Sequence, residues 1–107
     1  MLNASIVWFT GMSGSGKTTL MTKTNKLLKD KGFKTLTIDG DQHRNQNRRK
    51  GFSRKSIILN NREVIQKCFE NRNKYNFIIV SIISPYDEVR MEAKKIFADE
   101  FYLIYMK

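Results

Sequence analysis

Gly11-Met12-Ser13-Gly14-Ser15-Gly16-Lys17-Thr18 decides how this chain is read. The stretch matches G-x-x-x-x-G-K-[ST] in full. Gly11, Gly14 and Gly16 let the backbone turn so that its N–H groups point inward at oxyanions. The residues before it, 4–10 (ASIVWFT), are apolar and β-prone, as in a buried strand. The residues after it, 17–31, carry Leu20, Met21, Leu27 and Leu28 on one face and stop at Gly32, as in a helix. Strand, glycine-rich turn, helix is the context in which this motif holds the phosphates of a nucleoside triphosphate, ATP above all. The helix dipole favours the same negative charge. Residues 11–18 with Thr19 form the expected cradle. In it Lys17 bridges the β- and γ-phosphates and the Thr18 hydroxyl holds Mg²⁺.

Working outward, the alternation continues. Residues 34–38 (KTLTI) read as a second strand and 77–83 (FIIVSII) as a third. Residues 101–106 (FYLIYM) read as a fourth. Between them, residues 56–71 read as a helix with Ile57, Ile58, Val64, Ile65, Cys68 and Phe69 as its apolar face. Asn60, Asn61 and Arg62 interrupt that face. Residues 85–98 read as a further helix with Val89, Ala93, Ile96 and Phe97 inward. Strands separated by helices imply right-handed crossovers. The expected fold class is α/β: a parallel sheet of about four strands with helices on both faces, a three-layer α/β/α domain of the P-loop kinase type. Ligands in such sheets bind outside the carboxyl ends of the strands.

One domain accounts for 107 residues, and 40% apolar with 28% charged residues excludes a disordered tail. No apolar run reaches the ~20 residues that span a bilayer. The first ten residues lack a basic n-region and read as strand, not as a signal peptide. Cys68 is the single cysteine, so no intramolecular disulfide forms. A reducing, cytoplasmic setting is the expectation. The net charge is +10. Arg44, Arg48, Arg49, Lys50, Arg54 and Lys55, with no acid among residues 43–55, supply more than half of it. A concentrated basic loop either faces solvent or meets an anionic partner.

Two more motifs follow strands directly. Asp39-Gly40-Asp41 places two carboxylates either side of a flexible glycine. They read either as a turn closing the strand or as groups that orient a substrate hydroxyl, take its proton and support the metal through water. Arg44 has the shape to clamp a phosphate or sulfate with two donors. His43, the only histidine, falls in the exposed basic loop and is not expected to bind metal. Ser84-Pro85 reads equally as a helix N-cap with proline at the first helical position or as a ligand-facing serine. Phe52 and Tyr86 read equally as core or as rings that stack on a base.

These residues resemble adenylylsulfate kinase (APS kinase). The resemblance is carried by residues 6–19 (IVWFTGMSGSGKTT), by Ile38-Asp39-Gly40-Asp41 with Arg44, by Gly51-Phe52-Ser53, and by Val80-Ser81-Ile82-Ile83-Ser84-Pro85-Tyr86. Members of that family transfer the γ-phosphoryl of ATP to the 3′-hydroxyl of adenosine 5′-phosphosulfate (APS) with Mg²⁺. The resemblance implies that Asp39, Asp41 and Arg44 lie at the substrate, with Asp41 handling the hydroxyl proton. It implies that Phe52 stacks on the substrate adenine and that Ile83 and Ser84 line its pocket. Ser84 matches the serine described in the family as a phosphoserine intermediate. The family's arginine-bearing pattern after Phe52 aligns either with Ser53-Arg54-Lys55 or with Asn60-Asn61-Arg62, so the substrate arginine is Arg54 or Arg62. The resemblance covers nearly all of this chain and the first part of the family's domain.

Two other functions compete. One is a phosphotransferase with a different acceptor, such as a nucleotide, a sugar or a polynucleotide end. The other is a nucleotide- or nucleic-acid-binding remnant without turnover. An open sheet edge at the last strand favours pairing with another chain, as in a homodimer.

Overall fold

The computed structural model describes residues 3–12, 14–46 and 53–106. Strand β1 (Ser5–Thr10) leads through the glycine-rich turn into α1 (Lys17–Asp30). Then follow β2 (Thr35–Asp39), α2 (Gly40–Gln46), α3 (Arg54–Asn71), β3 (Phe77–Ile82), α4 (Asp87–Phe97), a short 3₁₀ turn (Ala98–Glu100) and β4 (Phe101–Tyr105). The sheet is wholly parallel with strand order β2-β3-β1-β4. The α/β class and the four expected strands are therefore present.

Strand alternation distributes the apolar residues between two layers. Ile6 and Trp8 of β1 join Ile38, Ile78, Val80 and Ile82 against Val64, Ile65 and Cys68 of α3 and Ala93 and Phe97 of α4. On the opposite face Phe9 and Ile79 meet Met21, with Val7, Leu20 and Leu28 packed beside them. So α3 and α4 cover one face and α1 the other. The connections leave β1 and β3 toward opposite edges of the sheet and on opposite faces. A crevice opens where two neighbouring strands part in this way, at their carboxyl ends.

Some expected boundaries and faces move. The stretch after Asp39 is not a bare turn running into a loop: residues 40–46 form α2. The carboxylate of Asp39 nucleates it by accepting from the N–H groups of Asp41 (2.9 Å) and Gln42 (3.2 Å). His43 consequently lies on a helix rather than in an exposed loop, with its Nε2 3.0 Å from Oε1 of Glu63 on α3. Helix α3 starts at Arg54, two residues early, because the Ser53 hydroxyl accepts from the Ser56 N–H (3.2 Å). Asn60 and Asn61 do not break the buried face of α3 but belong to it. Leu27, Phe69 and Ile96, expected inward, are exposed, and Ile58 is half-buried. One sheet face per helix gives a narrower apolar stripe than their spacing suggested.

Ser84 is not the N-cap of α4. That position falls to Tyr86, with no side-chain cap bond, and the helix begins at Asp87.

The buried Cys68 thiol shows how dry the α3 layer is. Burial pushes its pKa from 9.0 up to about 12, partly offset by the charge of Lys67. Because thiolate is the reactive form, we expect no alkylation by iodoacetamide at pH 8 until the chain unfolds, monitored by mass spectrometry. The sign of the linkage follows. The thiol contributes its full stability below pH 9, where it is protonated in both states. That contribution is lost as pH rises toward 12, because the unfolded thiol ionises first.

Candidate active site

The phosphate loop hangs from the end of β1. Gly14 and Gly16 adopt φ of 82° and 88°, the left-handed region that side chains resist, and Gly16 caps α1 from that conformation. Beyond it Gly14, Gly16, Lys17, Thr18, Thr19 and Asp41 line a cavity of about 350 Å³. Lys17 is buried to 5% exposure, and its Nζ reaches the Met12 carbonyl at 3.4 Å. The Met12 carbonyl also accepts from the Ser15 N–H at 3.1 Å, so the ammonium is folded back over the loop. Ser13 lies outside the described residues.

Two walls are carried by the neighbouring strands. The Thr18 hydroxyl lies 3.3 Å from that of Ser81, which is buried in β3. Asp41 enters from the first turn of α2, which the Asp39 cap fixes. Arg44, one turn along α2, holds its guanidinium 3.9 Å from the Asp41 carboxylate. The carboxamide of Asn60 donates to the Gly40 carbonyl at 3.1 Å and so ties α3 to the same turn.

The third strand end is equally bound. The Ser84 N–H donates to the Thr10 hydroxyl (3.0 Å), and the Ile83 carbonyl accepts from Asn61 (3.0 Å). Ser84 is 1% exposed, and its Oγ has no hydrogen-bond partner among the described residues. The Asn60 Oδ1 is in the same condition. Buried polar atoms of this kind are satisfied in nearly all folded proteins, so both are available to a ligand or to water.

A divalent cation fits what the loop offers. Among the residues lining the cavity the oxygen donors are the hydroxyls of Thr18 and Thr19 and the carboxylate of Asp41. No cluster of three metal-ligating side chains occurs among the described residues. That poverty suits Mg²⁺, which keeps most of its waters and takes its other ligands from phosphates.

The expected residues thus divide. Lys17, Thr18, Thr19, Asp41, Gly14 and Gly16 meet at one cavity. Asp39 stands behind it as a helix cap, Asn60 holds the Gly40 carbonyl from α3, and Ile83 and Ser84 follow the end of β3. Arg54 and Arg62 are not brought to this cavity. Arg54 pairs with Glu88 and stacks over the Tyr86 ring at 4.5 Å. Arg62 pairs with Glu92 at 3.2 Å. Both line a separate hollow of about 480 Å³ with Lys55, Ile58 and Leu59, along the outer side of α3. That hollow is larger, but the glycine-rich loop and Lys17 are at the smaller one. Phe52 lies outside the described residues, and Tyr86 is occupied by Arg54. Thr10, Ser81 and Asn61 were not expected as site residues, and the sheet register and helix docking reveal their place.

A family model described as adenylylsulphate kinase matches residues 3–107. The chain belongs to that family. It is 40% identical over 90 residues to a probable adenylyl-sulfate kinase of Pyrococcus abyssi (strain GE5 / Orsay), covering 83% of this chain and 52% of that one. It resembles the structure of the Mycobacterium tuberculosis APS kinase CysC in complex with AMPPNP and APS. There the TM-score is 0.85 at 31% identity, over 98% of this chain and 63% of that one. A hexameric APS kinase from Thiobacillus denitrificans superimposes with a TM-score of 0.82 at 27% identity, over 98% of this chain and 22% of that one. The chain spans about half the length of the curated adenylyl-sulfate kinases it matches. No helix among the described residues is long and apolar enough to cross a membrane.

Proposed function

We propose that this chain acts in an ATP-dependent kinase that phosphorylates the 3′-hydroxyl of adenosine 5′-phosphosulfate, giving 3′-phosphoadenosine 5′-phosphosulfate. The observation that carries the reading is one shared edge. The phosphate loop, Asp41 and the Ile83–Ser84 strand end converge at the carboxyl ends of three strands, in a member of the adenylylsulphate kinase family. A neighbour in that family is described with AMPPNP and APS bound.

In this reading the loop's N–H groups and Lys17 hold the β- and γ-phosphates. Thr18, with Asp41 through water, would hold Mg²⁺, which would supply further charge neutralisation. The acceptor lies between Asp41 and the Ile83–Ser84 end, near Asp39, Arg44 and Asn60, with Phe52 contributing a ring to its adenine. Its 3′-oxygen attacks the γ-phosphorus, the bond to the β–γ bridging oxygen breaks, and ADP leaves. The hydroxyl proton passes to Asp41, whose charge Arg44 steadies. Catalysis here is alignment and charge stabilisation. Ser84, with its Oγ buried, serves as a wall of the acceptor pocket rather than as a phosphorylated group. A cytoplasmic place in sulfate assimilation accompanies this activity.

A coupled assay for ADP release tests it. With ATP, Mg²⁺ and adenosine 5′-phosphosulfate, the expected result is release that depends on the acceptor. Release with a nucleotide, a sugar or a polynucleotide end but not with adenosine 5′-phosphosulfate overturns the acceptor. Binding of ATP with no turnover on any acceptor overturns the kinase.

A further inference from the structure

We propose that Thr10 and Asn61 are positioning residues, a two-sided clamp on a single peptide group that sets the acceptor wall against the phosphate loop. The inference rests on the kinase reading above. Strand β3 ends at Ile82, paired with Thr10 at the end of β1. The next peptide, between Ile83 and Ser84, is held at both ends by side chains. Its N–H donates to the Thr10 hydroxyl at 3.0 Å, and its carbonyl accepts from Asn61 Nδ2 at 3.0 Å. The two anchors come from different elements. Thr10 immediately precedes Gly11, so it belongs to the root of the phosphate loop. Asn61 belongs to α3, one residue after the asparagine that holds Gly40.

The choice of residue types supports the inference. Position 61 sits among Ile57, Val64, Ile65 and Cys68, where an aliphatic side chain is the natural occupant. A fully buried carboxamide there is unfavourable unless its donors are used. Both are: the second N–H goes to the Ile57 carbonyl at 2.8 Å, one turn back, which stops the group from rotating. Thr10 is likewise 1% exposed. Neither side chain lines the phosphate-loop cavity, so both act through the peptide. With that peptide plane fixed, the direction of the Ser84 side chain and its offset from the loop are fixed too.

Thr10→Val and Asn61→Leu remove the polar contacts with little change of shape, and Thr10→Ser restores the hydroxyl. We expect each of the first two to lower kcat/KM for adenosine 5′-phosphosulfate about tenfold or more, the scale on which misplaced reacting groups are felt. The dissociation constant for ATP, titrated directly, stays within about twofold, since the loop itself is intact. Thr10→Ser recovers most of the loss. Unchanged acceptor kinetics in both variants overturn the clamp, as does a parallel weakening of ATP and acceptor. A second readout is independent of turnover, with the β1 amides as its control for folding: hydrogen exchange at the Ser84 amide. Protection present in the wild type and lost in Thr10→Val, with the β1 amides unaffected, supports the clamp. Equal exchange in both proteins overturns it. Absence of turnover in the wild type with a protected Ser84 amide defeats the kinase reading and leaves the clamp standing.

Discussion

Lys17→Ala removes turnover by a factor of roughly 10²–10³ and weakens ATP binding, while the fold survives. The magnitude is that of deleting one preorganised charge or donor aimed at the transferring group. Lys17 is the cation on the wall of the loop cavity, and its Nζ is held over the loop by the Met12 carbonyl at 3.4 Å. Removing it leaves the loop's N–H groups and the dipole of α1, so some affinity for triphosphate persists. Lys17→Arg does not rescue, because a planar guanidinium on a longer stem cannot occupy the point-charge position. The measurements are ATP titration by calorimetry and acceptor-dependent ADP release. A variant with wild-type kcat shows that phosphates are held elsewhere.

Gly40→Ala is the second large effect, and it acts through packing. A Cβ at position 40 would lie 2.4 Å from Cγ1 of Ile82, 2.8 Å from its Cβ and 2.9 Å from its Cδ1. Ile82 is itself 1% exposed and ends β3, so it has no free space to retreat into. Overpacking of this kind costs about 1–3 kcal/mol. At about 4–8 °C per kcal/mol for a domain of this size, the melting temperature falls by about 4–24 °C. Activity falls with it, because Gly40 separates the Asp39 cap from Asp41, and its carbonyl is the one Asn60 holds. Adding Ile82→Val recovers part of the melting temperature by shortening the opposing side chain. Thermal melts of the single and double variants read the coupling directly. An unchanged melting temperature in Gly40→Ala is the outcome against this contact.

Much of the fold was legible because its strongest signals are local. β1 and β3 are short runs of β-branched and aromatic residues buried on both faces. The phosphate loop combines a fixed residue spacing with a fixed context. What stayed hidden depends on groups distant in sequence. Helix α2 was read as turn and basic loop because Gly40, Asn45 and a cluster of charge argue against a helix. Only the Asp39 carboxylate, bonding forward to two N–H groups, reverses that preference. Asn61 was read as an interruption because no local pattern announces the Ile83 carbonyl on another element. Ser84 followed by Pro85 has the composition of a cap, yet the helix begins only at Asp87, and the Ser84 N–H pairs with Thr10, 74 residues away. Arg54 and Arg62 remained equivalent in the sequence. The docking of α3 beside α4 sends both to glutamates instead.

Helix α1 fully buries only Lys17 and Met21, with Leu20 and Leu28 half-covered, and no other helix among the described residues shares its side of the sheet. A helix attached over so small an area draws little of its order from the core and belongs to the low-stability end of the molecule. In the proposed kinase, a nucleotide at its N-terminus supplies part of the helix's own tertiary support. Binding and local folding share one free energy at this end of the chain. The substrate completes the scaffold that holds it.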